Sequence, residues 1–503
     1  MIDTPIITEA VYHTNNNPAY AGNPLIEALP PILSDSEWVQ RFNIRPVVDD
    51  NVRGLKPEER LAALIDLERF NYPFPEGIDL ARRIESALYR GYSTKNPCLA
   101  TSNHYLHYLS PDDTENQPLS GRFEPRPVGL TLVGPSGSGK TRLYESILSY
   151  YPQVIEHKFY HGKSMPITQI VWLKVDCPAD QSLVTFAGNF LSALDDALNE
   201  DFFNEAIKSR VNKGIMMEQV IRKARLYRVG LIVLEEFSSI SLPKKASQEN
   251  MPPLLKLILN LMNKSGVPVM YTGNEEMLET LQFTLKNARR AENGGVIAMG
   301  PMHRATWQAV SKRLWKLQVT NTHTPWSEEF ANVLYEASRG IVDIAVRGFF
   351  EAQRMVIGAK DERLTPTVIE QGAINAIRLS NKTLDWSATQ NYKDGIWSPR
   401  INEPKNSINK SKNKEYIHES INKNKVESIG LNDPLRPQHP EFLDSINKLK
   451  DRSPLIPADV RHSLLRDICG EDDMIDELRN QNITLEDVFD LNINNKLSHG
   501  GQE

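Results

Sequence analysis

Short apolar runs alternate with longer helical patterns between residues 126 and 325. The runs are four to seven residues long and rich in valine, isoleucine and leucine, as in strands that are buried on both faces. Because strands that alternate with helices usually pair in parallel, this region is predicted to be an α/β domain with a helix-covered parallel sheet. The predicted strands are Val128–Val133, Gln169–Val175, Leu231–Leu234, Val267–Tyr271 and Leu314–Val319.

Helical patterns also precede this sheet domain. Residues 1–125 are rich in proline and polar residues, and helices are predicted at Pro57–Phe70 and Ile78–Arg90. We therefore expect residues 1–125 to form a small N-terminal domain and residues 126–325 to form the α/β core.

Three further helices are predicted over residues 326–380, behind the sheet. Apolar positions recur with a helical period in Ser327–Ser338, Ile341–Gly358 and Thr365–Leu379. The last helix begins with a threonine that can cap it and a proline that fits the first helical position. We expect these helices to form a lid on the sheet domain.

The composition changes again after residue 380. Residues 381–438 are dominated by asparagine, lysine and serine, with too little apolar surface to offset the entropy of folding, so a flexible, disordered linker is predicted. Residues 439–503 regain apolar positions and carry nine acidic side chains against one arginine between Asp467 and Asp490. We expect a small helical acidic module that docks on a basic partner.

Composition and charge exclude some classes of protein. Of the 503 residues, 40% are hydrophobic and 24% are charged, as in a soluble multidomain protein. The three cysteines are far apart and predict neither a disulfide framework nor a zinc site. A signal peptide and a membrane-spanning run are not recognisable, so we expect a cytoplasmic protein. The net charge of −6 argues against DNA attraction by the whole surface but leaves local basic faces possible.

A glycine-rich segment follows the first predicted strand of the core. It matches the phosphate-binding pattern GxxxxGK[ST] and precedes a helical stretch. The glycines let main-chain N–H groups surround phosphate oxygens, Lys140 reaches the β and γ phosphates, and Thr141 ligates magnesium, which predicts a site for ATP and Mg2+. The predicted nucleotide-binding residues are Gly134, Pro135, Ser136, Gly137, Ser138, Gly139, Lys140, Thr141 and Arg142.

Two adjacent carboxylates, Glu235 and Glu236, follow the buried strand Leu231–Leu234. At such a site the first carboxylate holds magnesium through water, and the second polarises the attacking water. The usual first residue is aspartate. Since Glu235 is longer by one methylene, we expect it to reach the metal shell but to support slow hydrolysis.

Polar and basic groups follow the next predicted strand. Thr272 and Asn274 lie where a hydroxyl or an amide can orient the water beside the γ phosphate, and either residue fits. Arg289 and Arg290 precede a glycine-containing turn. One of them is expected to reach the γ phosphate of a neighbouring subunit, which would make hydrolysis depend on assembly.

With these motifs in place, the sequence resembles TnsC, a family of AAA+ regulators of transposons that select their target sites, some of them with CRISPR effectors. The resemblance runs in order through AVYHTNNNPAYAGNPLIEALPP, RGYSTKNP, LVGPSGSGKT, YPQVIEH, GLIVLEE, VPVMYTGN, ARR and GIVDIAVRGFFEAQ, and it fades before the acidic C-terminus. It implies a P-loop AAA+ ATPase that assembles on duplex DNA as a ring or filament, hexameric or heptameric per turn. Such a protein passes target information to a transposase.

The resemblance also implies partners and residue roles. A targeting protein of the TnsD or TniQ type would contact the N-terminal domain, and transposase subunits of the TnsA or TnsB type would dock on the acidic module. Family filaments contact the DNA backbone from the region behind the P-loop helix, which here contains Lys158 and Lys163. By motif the roles are Walker A for Lys140 and Thr141, Walker B for Glu235 and Glu236, sensor 1 for Thr272 or Asn274, arginine finger for Arg289 or Arg290, and sensor 2 for Arg347.

Two other interpretations remain open. One is a scaffold on DNA that binds ATP without hydrolysing it, motivated by Glu235. The other is an AAA+ ATPase that acts on protein partners. DNA-stimulated phosphate release separates the first from a true ATPase, and ATP-dependent protection of random duplex DNA separates the second.

Overall fold

A parallel sheet of five strands lies at the centre of this computed structural model. All neighbouring strands in it are parallel, and every residue of the two strands beside the phosphate loop is buried, as expected when helices cover both faces. The predicted α/β class with a parallel sheet is therefore confirmed. The strand order is β5 (Trp172–Asp176), β6 (Leu231–Glu235), β7 (Val269–Gly273), β2 (Gly129–Val133) and β8 (Val296–Ala298).

Helices account for most of the remaining described chain. The structure describes residues 7–44, 46, 48, 50–67, 69–107, 121–208, 213–240, 252–282, 285–378, 392–393 and 396–397. The helices before the phosphate loop are α1 (Pro24–Glu27), α2 (Asp35–Phe42), α3 (Asp50–Arg53), α4 (Pro57–Leu67), α5 (Pro75–Ser93) and α6 (Thr101–His107). Those of the core are α7 (Lys140–Leu148), α8 (Leu183–Leu198), α9 (Phe202–Lys208), α10 (Lys213–Leu226), α11 (Pro253–Ser265), α12 (Glu276–Leu281), α13 (Leu285–Glu292) and α14 (Arg304–Leu314). Those after the core are α15 (Glu328–Ser338), α16 (Val342–Val356) and α17 (Pro366–Ala376).

Alternate residues of β6 point into two hydrophobic cores on opposite faces of the sheet. Ile232 and Leu234 pack with α8, α10 and α11, whereas Leu231 and Val233 pack with α5 and α7. The second core also contains apolar side chains of α1 and α2. The expected N-terminal domain, residues 1–125, thus shares a hydrophobic core with the sheet domain instead of forming one alone.

A second, smaller sheet is formed by β1 (Ile7–Glu9), β3 (Val154–Tyr160) and β4 (Lys163–Ile170). β3 and β4 form an antiparallel hairpin, and β1 pairs with β3 in parallel. The predicted single strand Gln169–Val175 is wrong, because β4 ends at Ile170 and β5 begins at Trp172. One apolar run therefore serves two sheets, which residue pattern alone does not distinguish from one strand.

The three helices predicted behind the sheet are present as α15, α16 and α17. Thr365 caps α17 by accepting a hydrogen bond from the Val368 N–H, and Pro366 occupies the first helical position. The predicted strand Leu314–Val319 is wrong. Its residues form the end of α14 and a 3-10 turn at Trp315–Leu317, since a short buried apolar run suits a helix end as well as a strand.

A buried ion pair joins α4 to the segment before α17. Arg60 binds both carboxylate oxygens of Glu362, and each side chain is at most 4% exposed. Glu362 also accepts hydrogen bonds from the main-chain N–H groups of Asn321 and Gly358, each at 2.8 Å. This set of contacts, here called the Arg60–Glu362 junction, ties α4 to the segment between α16 and α17.

Some sequence predictions concern the C-terminal part of the chain. An antiparallel pair of short strands, β9 (Tyr392–Lys393) and β10 (Ile396–Trp397), lies within the predicted linker. The rest of the linker and the acidic module at 439–503 lie outside the described residues. Within the described part of the chain, the search for a helix long and apolar enough to cross a membrane finds none.

Candidate nucleotide-binding site

A cleft of 960 Å³ opens at the carboxyl ends of β6 and β7. In open α/β sheets this end of the strands is where ligands bind. The cleft collects most of the site residues predicted from sequence, although these residues come from distant parts of the chain. They are residues 136–142, Glu235, Glu236, Thr272, Asn274 and Arg347.

The phosphate loop connects β2 to α7 in a conformation that requires glycine. A Cβ on Gly134 would lie 2.2 Å from the Met299 carbonyl oxygen, and Gly139 has a φ of 92° as the N-cap of α7. Gly139 has no side chain to occupy the first-turn N–H groups of α7. These N–H groups and the positive end of the helix dipole can together bind an anion such as phosphate.

Two side chains of the loop also fit an anionic group. The Lys140 ammonium donates to the carbonyl oxygens of Gly134 and Pro135 at 2.8 and 3.0 Å, and burial lowers the Lys140 pKa to about 8. The Ser138 hydroxyl is buried, and no hydrogen-bond partner for it is found among the described residues. A phosphate would provide this hydroxyl with an acceptor and the ammonium with a counter-charge.

Glu235 and Glu236 lie at the end of β6, across the cleft from the loop. Glu235 is half-buried and in register with Asp176 of β5. Burial raises the Glu235 pKa, although a hydrogen bond from the Tyr144 hydroxyl and the charge of Lys174 oppose the rise. Glu236 is exposed and has a φ of 52°, a left-handed conformation that is costly for a non-glycine residue and is often found at functional sites.

These carboxylates and Thr141 form an oxygen-rich ligand set, which is the kind that magnesium prefers. No group of three or more histidine, cysteine or acidic side chains that could hold a metal by itself is found in the described part of the chain. Two carboxylates and one hydroxyl suit an ion that takes its other ligands from phosphates and water, as Mg2+ does at nucleotide sites.

Thr272 and Asn274 differ in burial and in their hydrogen bonds. Thr272 is buried, and its hydroxyl donates to the Leu234 carbonyl oxygen at 3.0 Å, which ties β7 to β6. Asn274 lies one residue beyond β7, is half-buried, and accepts a hydrogen bond from the Glu276 N–H. Its amide is the more accessible of the two polar groups.

The four arginines predicted for the site lie in two different places. Arg142 and Arg347 line the cleft. Arg347 of α16 pairs with Asp343 and donates to the Ala376 carbonyl oxygen. Arg289 and Arg290 of α13 are not among the cleft residues; Arg289 is exposed, while burial lowers the pKa of Arg290.

Lys158 and Lys163 lie outside the cleft, on the hairpin of β3 and β4. Both are exposed, and Lys158 forms an ion pair with Glu9 of β1 at 3.0 Å. The turn between them, at His161 and Gly162, has positive φ at both residues, as a tight hairpin requires. Both lysines thus lie on the hairpin of the smaller sheet, one on each strand.

Several cleft residues were not identified from the sequence. Aromatic residues between α4 and α5 form one wall, Asp176 ends β5, and Tyr144 projects from α7. Two signals were available: Asp176 ends an apolar strand as Glu235 does, and Tyr144 is four residues after Lys140, one helical turn along the same face. The aromatic wall is formed by Phe70, Tyr72 and Phe74.

Comparison with known proteins finds similarity to a protein family and to several solved structures. No curated protein matches the chain. Among solved structures, the chain is similar to Cdc6p from Pyrobaculum aerophilum, with 12% identity, a TM-score of 0.39, and coverage of 66% of this chain and 72% of that one. It is also similar to the Aeropyrum pernix Orc1 protein in complex with DNA, with 16% identity, a TM-score of 0.33, and coverage of 71% and 78%. A family model described as an AAA domain matches residues 128–281, the segment that carries the phosphate loop and both glutamates.

Proposed function

We propose that this protein is a magnesium-dependent ATPase that assembles on duplex DNA and links target selection to transposase recruitment in DNA transposition. The observation that carries the ATPase part is the single cleft in which the phosphate loop faces Glu235, Glu236 and Asn274. The transposition part rests on the sequence resemblance to TnsC.

In this proposal each group of the cleft has a step. Main-chain N–H groups at the start of α7 and the Lys140 ammonium bind the phosphates. Thr141 and, through water, Glu235 would hold Mg2+, which supplies neutralising charge at the β and γ phosphates. Glu236, exposed at the cleft, accepts a proton from the attacking water, and the Asn274 amide orients that water.

The arginines fit roles in two different subunits. Arg347 lines the cleft of its own subunit and is placed to sense the nucleotide once it leaves Asp343. Arg289 is exposed on α13, away from its own cleft, and is the better candidate for a finger that enters a neighbouring subunit. A finger supplied from a neighbour makes hydrolysis depend on the ring or filament.

The hairpin of β3 and β4 is the proposed DNA contact. Lys158 and Lys163 are exposed on one short hairpin, where each can neutralise a phosphate without reading sequence. Since the whole chain is acidic, two contacts per subunit would hold DNA weakly. Repetition along an ATP-dependent assembly would multiply them.

The ATPase role is tested by phosphate release with and without duplex DNA, comparing the wild type with Glu236→Gln. We expect a loss of turnover of at least about 100-fold with nucleotide binding retained, because the proton acceptor is removed. Glu276→Gln is the matched control, since Glu276 is another exposed glutamate at the same cleft. Unchanged turnover in Glu236→Gln would favour the scaffold that binds ATP without hydrolysing it.

The DNA role is tested by nuclease protection of random duplex DNA with a slowly hydrolysed ATP analogue. The double variant Lys158→Ala/Lys163→Ala should lose protection and show a smaller dependence of affinity on salt. Lys256→Ala/Lys264→Ala removes two lysines of α11 and should behave as wild type. Absence of ATP-dependent protection in the wild type would favour an AAA+ ATPase that acts on protein partners.

A further inference from the structure

A tyrosine of the nucleotide-binding helix contacts the metal-side glutamate across the cleft. Tyr144 lies on α7, one turn after Lys140 and Thr141, and its hydroxyl donates to Oε1 of Glu235 on β6. The contact joins two elements separated by 91 positions in the chain. It connects the helix that binds phosphate to the strand that would hold the metal.

The surroundings of Tyr144 keep its hydroxyl at this position. The side chain is 1% exposed and packs in the core formed by α5, α7 and the sheet. The phenol donates its hydrogen to the Glu235 carboxylate, which, when ionised, can only accept. A rigid aromatic ring with a fixed donor is well suited to orient a flexible glutamate.

Glu235 needs such an orienting group because its surroundings are acidic and partly buried. Asp176 lies in register with it on β5, and Glu145 is also close enough to raise its pKa. Lys174 opposes this, but its ammonium also pairs with Glu145 at 2.8 Å. The Tyr144 hydrogen bond holds one oxygen of this crowded carboxylate in place.

We propose that Tyr144 is a positioning residue for Glu235 in magnesium binding, an inference that rests on the ATPase function proposed above. Tyr144 holds Oε1 by its hydrogen bond, and Oε2 would remain available to the hydrated ion. The pair also accounts for glutamate where aspartate is usual, since the additional methylene lets one carboxylate contact both the tyrosine and the metal shell. Lys140 and Thr141 lie on the same helix, so phosphate binding and metal binding share one rigid element.

The experiment measures the affinity of a fluorescent ATP analogue in Mg2+ and in EDTA, together with the Mg2+ concentration at half-maximal effect. Tyr144→Phe keeps the ring in the core and removes the hydroxyl. We expect unchanged affinity in EDTA and a need for about 10-fold more Mg2+, the usual size of an effect from a group that orients a metal ligand.

Two further variants define the outcome. Tyr151→Phe removes another buried phenol of the same core outside the cleft and should leave the Mg2+ response unchanged. Adding Tyr144→Phe to Glu235→Gln should cause no further loss if the two groups act together.

Three results would overturn the inference or its basis. Equal weakening by Tyr144→Phe in Mg2+ and EDTA would show a merely structural role and overturn the inference. A normal Mg2+ response in Tyr144→Phe, with loss in Glu235→Gln, would overturn the inference and leave the ATPase site standing. A normal Mg2+ response in Glu235→Gln would remove the proposed site itself.

Discussion

Two buried charged regions of the molecule differ in how completely their polar groups are bonded. At the Arg60–Glu362 junction, each carboxylate oxygen accepts hydrogen bonds from both the guanidinium and the main chain. In the cleft, Lys140 donates to two loop carbonyls, and the Ser138 hydroxyl has no partner among the described residues. Saturated bonding is typical of a structural contact, and incomplete bonding is typical of a site that awaits a ligand.

The pKa values show the same difference. At the junction, hydrogen bonds from Arg60 lower the Glu362 pKa to about 2, so bonding outweighs burial and the charged form is favoured. In the cleft, burial lowers the Lys140 pKa to about 8 and raises that of Glu235, so burial outweighs bonding there. The cleft thus holds charges whose missing partners a nucleotide and its cation would supply.

The largest expected effect concerns the junction. Arg60→Ala leaves the Glu362 carboxylate buried without its counter-charge, which should lower the free energy of unfolding by about 3–5 kcal/mol. Urea titration measures this. Arg354→Ala removes an exposed arginine paired with Glu351 and should cost less than about 1 kcal/mol. Equal costs for the two variants would contradict the contrast between saturated buried pairs and surface pairs.

The junction should also contribute to stability in a pH-dependent way. The folded pKa of Glu362 is about 2, below its ordinary value of 4.5, so its contribution is fully present above about pH 4.5. It is lost as the pH falls from about 4.5 toward 2. The stability difference between wild type and Glu362→Gln should therefore shrink in this window. A difference that stays constant with pH would show that the Glu362 pKa is not depressed.

Lys140→Ala in the cleft should affect nucleotide binding more than folding. We expect nucleotide binding to weaken by at least about 100-fold, which corresponds to ~2.7 kcal/mol, because the loop loses its cation at the phosphates. Stability without nucleotide should change little, since burial already disfavours this ammonium. Lys256→Ala on α11 is the control for loss of a surface lysine. Calorimetric titration and thermal unfolding measure the two quantities, and a large loss of stability would make Lys140 a structural charge.

Lys95 is a third buried charged group, outside both the junction and the cleft. It is fully buried, donates to the Val229 carbonyl oxygen at 3.3 Å, and lies near the rings of Tyr92 and Tyr105. Burial, with the charge of Arg228, lowers its pKa to about 7. Lys95→Met should therefore stabilise the fold at pH 7 by at least about 2 kcal/mol, since a pKa lowered from 10.5 to about 7 corresponds to an upper limit of about 4 kcal/mol.

The sign of this effect gives a second check. Between pH 7 and 10.5 the unfolded chain holds the Lys95 proton and the folded chain does not, so wild-type stability rises with pH. The advantage of Lys95→Met should decline over this range, as measured by urea titration at several pH values. Persistence of the advantage at pH 10.5 would mean that packing, not charge, is responsible.

Local signals carry the predictions that depend on a short segment of the chain. The phosphate loop, the two carboxylates after β6 and the Thr365 cap are each contained in a segment of a few residues. The geometry of each therefore follows from its own short segment. The predicted strand at Leu314–Val319 was wrong because its apolar side chains are buried in the lid core, where a helix end satisfies the same pattern.

Contacts between distant segments explain what the sequence missed. Arg60 and Glu362 are separated by 302 positions, and neither shows a local pattern that points to the other. The contact of Tyr144 with Glu235 also depends on how α7 packs against the sheet. Short-range pattern gives the parts of the site, whereas the partners that tune their charges come from tertiary packing.

The helix α16 connects the phosphate loop to residues near the Arg60–Glu362 junction. Near its start, the Asp343 N–H donates to the Gly137 carbonyl oxygen of the phosphate loop at 3.2 Å. Ten residues later, Gln353 accepts a hydrogen bond from the Val319 N–H, and the Val319 carbonyl oxygen accepts one from Arg60. With 15 residues, α16 is a continuous helix roughly 22 Å long. If nucleotide binding displaces the phosphate loop, α16 would tilt as a rigid body and shift its contact with Val319.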